Sequence, residues 1–268
     1  MKEVFNAVES TCKNLDINFY IIGAVAREIW FSKEGKTSRA TKDIDFAVYI
    51  SYEDQFIVLK ENLINNHGFS EIKGNSFVLL SPNGIQIDLL PFGAIEVENG
   101  VQIRGLDLTN IQVTGFKEVY EGATDNIKFE NDHEFKIATL PGIVLLKFIA
   151  YDDRPEHRKS DILDITKIIQ YFFELESEMI YENHNDLFDT YISLDKIAAR
   201  VIGREMSKAL IKNSHLLERI NLILNNAIQN DDSSLTLLMT ENTPYTIEEG
   251  NDLLKEILVG IAEKINTW

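Results

Sequence analysis

The stretch that decides the fold is RATKDIDFAVYI, residues 39–50. It is typical of a loop that enters a strand, because β-branched and aromatic residues favour a pleated backbone. Side chains alternate along a strand, so Asp43 and Asp45 share one face while Ile44 and Phe46 share the other. The sequence therefore predicts one buried apolar row and, on the opposite face, two neighbouring carboxylates.

Two carboxylates at this spacing suit a divalent cation. Like charges this close repel each other unless a cation lies between them. Mg²⁺ prefers oxygen ligands, and two-metal sites for phosphoryl transfer hold their ions about 3.5–4 Å apart. Asp43 and Asp45 are therefore candidate metal ligands.

A third carboxylate lies in the later apolar stretch GIQIDLLPF, residues 84–92. Ile87 and Leu89 occupy one face of the predicted strand, and Asp88 occupies the other. An aspartate in such a run is costly to bury unless it is paired or bound to a metal. Taken singly, the plainer interpretation is that Asp43 caps a turn and that Asp88 ends an edge strand. Taken together, the three aspartates favour a metal site.

A glycine turn lies upstream of these aspartates. The apolar strand FYII, residues 19–22, runs into Gly23, and a helical pattern follows over residues 24–32. The first backbone N–H groups of a helix have no partner within the helix, so such a junction can bind a phosphate. A glycine in that setting usually only turns the chain, so it is weak evidence for a phosphate site when taken alone. The Asp-x-Asp pair that follows makes the phosphate site a stronger hypothesis.

These residues resemble the signature of the DNA polymerase β-like nucleotidyltransferase superfamily. The resemblance is carried by Gly23-Ala24, by TKDID at residues 41–45 and by Asp88. It is closest to the minimal and AbiEii-type nucleotidyltransferases, several of which are toxins of toxin–antitoxin pairs.

Two later segments extend the resemblance, which covers residues 18 to about 170. LLKFIA at residues 145–150 is similar to the Lys-Leu-x-Ala helix motif of that group, and KSDILDI at residues 159–165 is similar to its Arg-Asp-x-x-Asp-Leu motif. The CCA-adding type is a weaker match, supported by Arg27-Glu28 but not by the helical half of the chain.

The resemblance implies an enzyme that transfers a nucleoside monophosphate from an NTP to a hydroxyl group. Two Mg²⁺ ions, with Mn²⁺ as the alternative, would be held by the catalytic residues Asp43, Asp45 and Asp88. The residues implied to bind the nucleotide are Gly23, Ala24, Arg39, Thr41, Lys147 and Asp161. The acceptor stays open between a small molecule, a protein and tRNA, and a cognate antitoxin is an implied partner. A catalytically inactive nucleotide-binding, regulatory or interaction protein of the same fold is the alternative.

Two positions depart from the family pattern. Ala24 stands where a glycine or serine is usual, so the turn offers a phosphate only backbone N–H groups. Ser160 stands where an arginine is usual, although Arg158 and Lys159 lie just before it. We therefore expect a weaker hold on the triphosphate than in typical members.

Lys147 lies in an otherwise apolar helical stretch, which is rare for a lysine that has no partner. It would either contact nucleotide phosphates as a point charge or extend its ammonium to water while its stem covers apolar surface. Asp161 and Asp164 lie three residues apart on one helix face. They would pair with Lys147, position an acceptor, or favour the dipole of their own helix.

Hydrophobic periodicity predicts an α+β fold in two domains. Residues 1–140 are expected to form an α/β domain with a mixed sheet flanked by helices, and residues 141–268 a helical domain that closes the nucleotide cleft. Helices are predicted at residues 1–15, 24–32, 53–66 and 116–120, and strands at 18–23, 43–50, 76–81, 85–90, 127–130 and 135–138. The Asn83-Gly84 pair predicts a hairpin turn between two of these strands.

Composition limits the classes of partner. The chain has 268 residues, of which 43 are acidic and 26 are basic, for a net charge of −17. That balance disfavours sequence-independent binding to nucleic acid, and so disfavours an RNA acceptor.

The sequence contains no stretch of about 18 apolar residues, so we expect a soluble, cytoplasmic protein without a membrane partner. Cys12 is expected to be a buried structural residue.

Overall fold

The computed structural model describes residues 1–36, 43–98, 100–103, 110–129, 133–189, 192–230 and 233–265. The chain divides into two compact units. Unit 1 comprises Met1–Ile29, Thr37–Tyr120 and Thr124–Ala138, and unit 2 comprises Trp30–Lys36, Glu121–Ala123 and Thr139–Trp268.

The first part of the chain alternates helices and strands. In chain order the elements are α1 (Lys2–Asn14), β1 (Phe19–Ile22), α2 (Gly23–Ser32), β2 (Asp43–Tyr49), α3 (Glu53–His67), β3 (Ser70–Ile72), β4 (Asn75–Leu80), β5 (Gln86–Phe92), β6 (Gly100–Gln102), β7 (Asn110–Gln112), α4 (Phe116–Gly122), β8 (Thr124–Phe129) and β9 (His133–Ala138).

Seven of these strands form one mixed sheet in the order β3-β4-β5-β2-β1-β9-β8. β2 runs parallel to β5 and β1 runs parallel to β9, while the other neighbouring pairs are antiparallel. β6 and β7 pair in a separate two-stranded sheet. The prediction of an α+β fold with a mixed sheet and helices, followed by a helical part, is confirmed.

One face of the large sheet carries the apolar core of unit 1. The predicted row of Ile44, Phe46 and Val48 lies there, and all three side chains are buried. The ring of Phe5 on α1 packs edge to face against Phe46, with 5.8 Å between the ring centroids. α3 packs on the same face through Phe56, whose ring contacts that of Phe77 on β4.

The opposite face has two different ends. At the carboxyl end of β2, Tyr49 packs against Phe92 of β5 and against Tyr120 of α4. Tyr20 of β1 joins this cluster and donates a hydrogen bond to the carbonyl oxygen of Phe116, 2.8 Å away. Burial raises the pKa of the Tyr20 phenol well above its ordinary value, so its proton stays in that bond. The aromatic cluster therefore closes one end of this face, and Asp43 and Asp45 lie at the other end of β2.

Unit 2 is helical. Its main elements are α5 (Leu140–Asp153), α6 (Lys159–Leu175), α7 (Ser177–Asn183), a 3₁₀ turn (Asn185–Asp189), α8 (Leu194–Leu210), α9 (Ser214–Gln229), α10 (Ser234–Thr240) and α11 (Ile247–Ile265). Thr139 caps α5 by accepting a hydrogen bond from the backbone N–H of Gly142, and Pro141 occupies the first turn, where its missing N–H costs nothing.

α8 and α11 pack closely against each other in unit 2. A Cβ atom added at Gly203 would lie 2.1 Å from the carbonyl oxygen of Ile257, and one added at Gly260 would lie 2.1 Å from that of Arg200. Glycine is therefore needed at both positions for the two backbones to approach. Arg200 also pairs with Glu256 across this contact.

Three further details concern Cys12, the end of α3 and the lengths of the helices. Cys12 is buried, as predicted, and burial raises its thiol pKa to about 12, so the thiol stays protonated. Gly68 ends α3 in a left-handed conformation with φ 71°. Within the described ranges, no helix is both long enough and apolar enough to cross a membrane.

Candidate active site

The register between β2 and β5 brings the predicted aspartates together. Asp45 pairs directly with Asp88, and Asp43 pairs with Gln86. Residues paired across two strands present their side chains on the same face of the sheet. Asp43, Asp45 and Asp88 therefore share one face, and all three are half-buried.

Asp88 lies in the interior of the sheet. β5 has β4 on one side and β2 on the other, and Asp88 pairs with Val78 on β4 as well as with Asp45. The interpretation that Asp88 ends an edge strand is therefore wrong. Sequence pattern shows which face a side chain occupies, but the order of strands depends on tertiary pairing.

The environment of Asp88 makes its negative charge costly. Burial raises the pKa of the Asp88 carboxyl, a hydrogen bond from Gln86 lowers it in part, and the charge of Asp43 raises it further. The Gln86 Nε2 atom donates that bond to Asp88 Oδ1 over 2.9 Å. Asp43 and Asp88 are thus close enough for their charges to repel each other.

Gly23 lies directly against Asp45. It begins α2 with φ 69°, in the left-handed region that favours glycine. A Cβ atom at this position would lie 2.1 Å from Asp45 Oδ2. The register agrees, because Ile22 at the end of β1 pairs with Asp45. The start of the ten-residue helix α2, with its partial positive charge, therefore lies beside the Asp45 carboxylate.

Arg27 and Gln86 are features of this region that sequence reasoning did not assign to the site. Arg27 follows Gly23 by four residues, which is about 6 Å along the helix axis, and its side chain is fully buried. The guanidinium of arginine suits the binding of carboxylates and phosphates. The sequence signal for Arg27 was an arginine on the inner side of a helix, and for Gln86 it was an amide two residues before Asp88.

The other predicted nucleotide-binding residues lie in three parts of the chain. Ala24 is the second residue of α2, and Arg39 and Thr41 lie outside the described residues. Lys147 and Asp161 belong to unit 2.

Lys147 lies in a buried ion-pair cluster. Its Nζ atom donates hydrogen bonds to Asp161 Oδ1 at 2.6 Å and to Asp164 Oδ2 at 2.9 Å. Of the alternatives for these aspartates, the pairing with Lys147 is therefore present. The second oxygen of Asp161 accepts no hydrogen bond within the described part of the chain, and the guanidinium of Arg158 is 3.7 Å away.

The aspartates have the right donor type for a hard cation but are not gathered into a complete cage. Across the described ranges, no three His, Cys, Asp or Glu side chains are arranged as a ready-made metal site. Carboxylate oxygens are nevertheless the ligands that Mg²⁺ prefers, and the mutual repulsion of Asp43 and Asp88 is what a cation would relieve.

No protein-family model matches the chain, and no curated protein sequence matches it. Among solved structures, the chain is similar to ANT(2")-Ia in complex with adenylyl-2"-tobramycin, with 11% identity, a TM-score of 0.38, and coverage of 60% of this chain and 83% of that one. It is also similar to the antibiotic-resistance factor ANT(2")-Ia in solution, with 12% identity, a TM-score of 0.38, and coverage of 69% and 93%. A third similar structure is an antigenic nucleotidyltransferase-like protein from Paracoccidioides brasiliensis, with 13% identity, a TM-score of 0.39, and coverage of 70% and 90%. Likenesses this slight identify neither the family of the chain nor its activity.

Proposed function

We propose that the chain is a Mg²⁺-dependent nucleotidyltransferase that moves a nucleoside monophosphate from an NTP to a hydroxyl acceptor. The observation that carries this proposal is the register that sets Asp45 beside Asp88, with Asp43 on the same face. A structural role would explain any one of these carboxylates, but the charge of Asp43 disfavours that of Asp88, and carboxylates gathered on one face cost folding stability. Sites arranged at the expense of stability are typical of function.

Asp43, Asp45 and Asp88 would hold the divalent ion. Mg²⁺ is usually bound by one or two carboxylates together with substrate phosphates and water, not by an all-protein cage. The lack of a finished three-ligand cage in the described residues is therefore compatible with an ion that arrives with the triphosphate. When bound, the ion would stabilise the negative charge that develops on the phosphates during transfer.

The start of α2 would hold the phosphates. Gly23 leaves room for a close approach, and the first N–H groups of α2 point out of the helix. Ala24 adds no hydroxyl, so this contact depends on the backbone. Arg39, Thr41, Lys147 and Asp161 remain proposed nucleotide contacts.

Asp88 is the proposed general base. Burial raises the pKa of its carboxyl, which makes it a better proton acceptor than an ordinary aspartate. It would take the proton of the acceptor hydroxyl as that oxygen forms a bond to the α-phosphorus. The bond from the α-phosphorus to the bridging oxygen would break, and pyrophosphate would leave with the electron pair.

The test combines a transfer assay with melting curves. Asp43→Asn, Asp45→Asn and Asp88→Asn should each lose NMP transfer, measured with labelled NTPs and pyrophosphate release. Without metal, their melting temperatures should stay level or rise, because each change relieves repulsion. In the unchanged protein, Mg²⁺ with NTP should raise the melting temperature, and in the three variants that rise should vanish.

Asp125→Asn is the matched control, because Asp125 is an exposed aspartate on β8 of the same unit. It should keep both transfer and the stabilisation by Mg²⁺ and NTP. If the site variants melt well below the unchanged protein in the absence of metal, the three aspartates are structural and the proposal is wrong.

The alternative is a nucleotide-binding or interaction protein that has lost catalysis. The departures at Ala24 and Ser160 are the features that favour it. This alternative would be identified if NTP stabilised the protein in the presence of Mg²⁺ but released no pyrophosphate with any acceptor tested, including small molecules, protein and tRNA.

The role of a toxin with a cognate antitoxin rests on the sequence resemblance, and a small adjacent antitoxin-like reading frame would support it.

A further inference from the structure

Unit 2 exposes a group of aromatic side chains where α6, α7 and the 3₁₀ turn meet. We define the aromatic patch as Phe173, Tyr181 and Phe188. The rings of Tyr181 and Phe188 stack with 4.8 Å between centroids and an interplanar angle of 10°. Phe173 meets both rings edge to face, at 5.9 and 6.1 Å. Tyr181 and Phe188 remain 56% and 37% exposed.

Such a group is costly to leave in water. Aromatic side chains provide large apolar surfaces, and folded proteins normally bury them. Single exposed apolar residues need no explanation, but two exposed rings that stack on each other and contact a third, half-buried ring form a continuous surface of the kind that marks a binding site.

Buried neighbours and hydrogen bonds fix the position of the patch. Leu187 is buried beside Phe188, and His184 is buried between α7 and the 3₁₀ turn. The guanidinium of Arg204 on α8 donates two hydrogen bonds to Asp186, at 2.8 and 2.6 Å, and so fixes the 3₁₀ turn. A surface that is fixed before binding loses less conformational entropy when a partner docks.

The segment that carries the patch is acidic. Residues 171–189 contain six acidic residues and no lysine or arginine. Two of the six have cations nearby, since Glu174 pairs with Lys36 and Asp186 with Arg204. Three others are exposed and make no ion pair within the described part of the chain: Glu178, Glu182 and Asp189.

We propose that this surface docks an arginine-rich segment of a partner protein. The faces of aromatic rings attract cations, and the planar guanidinium of arginine stacks on them better than the ammonium of lysine. The nearby carboxylates would pair with the same guanidinium groups, so aromatic and acidic side chains favour one ligand chemistry.

Other occupants fit less well. A second copy of the chain would bring the same carboxylates face to face, and like charges across an interface are unfavourable. Nucleic acid would place phosphates beside Glu178, Glu182 and Asp189. An uncharged apolar segment would leave these carboxylates without a partner.

The probe is a synthetic peptide of alternating arginine and leucine, titrated into the full-length protein, with lysine–leucine and glutamate–leucine peptides beside it. The arginine peptide should bind more tightly than the lysine peptide, and the glutamate peptide should not bind. The double variant Tyr181→Ala/Phe188→Ala should raise the Kd of the arginine peptide about tenfold. Tyr52→Ala, which removes an exposed aromatic side chain from unit 1, should leave the Kd unchanged.

A second pair of variants tests the charge separately. Glu178→Gln/Glu182→Gln should weaken peptide binding, whereas Glu218→Gln/Glu241→Gln removes the same charge from exposed positions elsewhere in unit 2 and should have little effect. This pair also keeps the proposal testable if the alanine variant fails to fold, which a melting curve would show.

Several results would overturn the proposal. Equal peptide binding by both glutamine pairs would mean that only the overall charge matters. Tighter binding of the glutamate peptide or of single-stranded RNA would contradict the choice of partner. A self-association that the alanine variant abolishes would show that the patch binds a second copy. None of these outcomes depends on nucleotidyl transfer, so they test this surface independently of the proposed activity.

Discussion

The carboxylate of Asp45 lies so close to Gly23 that the identity of one residue depends on the other. Gly23 has a left-handed backbone, and a Cβ atom added there would lie 2.1 Å from Asp45 Oδ2. The strand-to-helix turn could be recognised from sequence by its glycine. The approach of Asp45 could not, because it depends on the pairing of β1 with β2.

We expect Gly23→Ala to damage both the fold and the proposed site. The left-handed conformation alone costs a non-glycine residue about 1–2 kcal/mol, and displacing Asp45 should add to this. Gly74→Ala is the matched control, because Gly74 has φ 84° but open space around its Cβ position. Urea unfolding of both variants should show a larger loss for Gly23→Ala. Equal losses would mean that the Asp45 carboxylate moves aside without cost.

Under the proposed function, in which Asp88 acts as a metal ligand and general base, Gln86 is a residue that positions Asp88. Its amide donates to Asp88 Oδ1 and so fixes the orientation of that carboxylate. Gln86 precedes Asp88 by two residues, so alternation along the strand places both on one face. The sequence does not show that the amide donates a hydrogen bond to that carboxylate.

We expect Gln86→Leu to lower NMP transfer about tenfold while the protein stays folded, which is the usual effect of removing a hydrogen-bond partner of a metal ligand. The Mg²⁺ concentration needed for half-maximal stabilisation by NTP should rise as well. Gln86→Glu should be more damaging than Gln86→Leu, because it adds a further negative charge beside Asp88. If Gln86→Leu leaves both the rate and the Mg²⁺ dependence unchanged, the hydrogen bond has no positioning role.

Among the elements, the periodic segments were predicted well and the three-residue strands were not. β2, α3 and the hairpin at Asn83-Gly84 agree with the predicted segments within a few residues. The three-residue strands β3, β6 and β7 were missed, because so short a strand has no hydrophobic period.

The contact between α8 and α11 was also invisible in the sequence. Both helices have apolar stripes, but the stripes do not show that Gly203 faces Ile257 or that Gly260 faces Arg200. A glycine inside a helical pattern ordinarily only weakens the helix, by about 1 kcal/mol relative to alanine. Here the close packing of the two backbones makes glycine more favourable than alanine at these positions.

We expect Gly260→Ala to destabilise the protein by about 1–3 kcal/mol, since the methyl group would force the helices apart. Gly250→Ala, near the start of the same helix, is the control because its Cβ position meets only side-chain atoms at 3.3 Å and beyond before the backbone at 3.9 Å. The higher helix propensity of alanine relative to glycine should offset most of the free energy lost through these contacts. Urea denaturation of both variants is the measurement, and a stable Gly260→Ala protein would contradict the close packing.

The whole molecule has an acidic excess, 43 acidic against 26 basic residues, and some carboxylates of unit 2 form specific ion pairs. A hydrogen bond from Arg204 holds the pKa of Asp186 below its ordinary value. Burial raises the pKa of Glu205, but hydrogen bonds from His184 and Lys208 outweigh it and leave that pKa lowered. Sequence composition predicted the net charge, but it could not show which carboxylates have cations beside them.

These lowered pKa values set the direction of the response to acid. A carboxyl whose folded pKa lies below its unfolded pKa contributes stability above the unfolded pKa, and that contribution is lost as the pH falls through the folded pKa. Unfolded Asp and Glu titrate near pH 3.9 and about pH 4.3. Asp186 and Glu205 should therefore contribute stability near neutral pH and lose that contribution below about pH 4.

Arg204→Met isolates one part of this effect. At about pH 7 it should cost roughly 2 kcal/mol, because Asp186 and Glu263 lose the hydrogen bonds of the guanidinium, while the exposure of Asp186 limits the loss. Near pH 3 the cost should shrink, because the stability that Asp186 contributes is lost as the pH falls towards its lowered folded pKa. Lys255→Met, which removes an exposed partner of Asp252, should show little cost at either pH. A cost of Arg204→Met that is equal at both pH values would mean that Arg204 stabilises unit 2 by the packing of its stem and not by its charge.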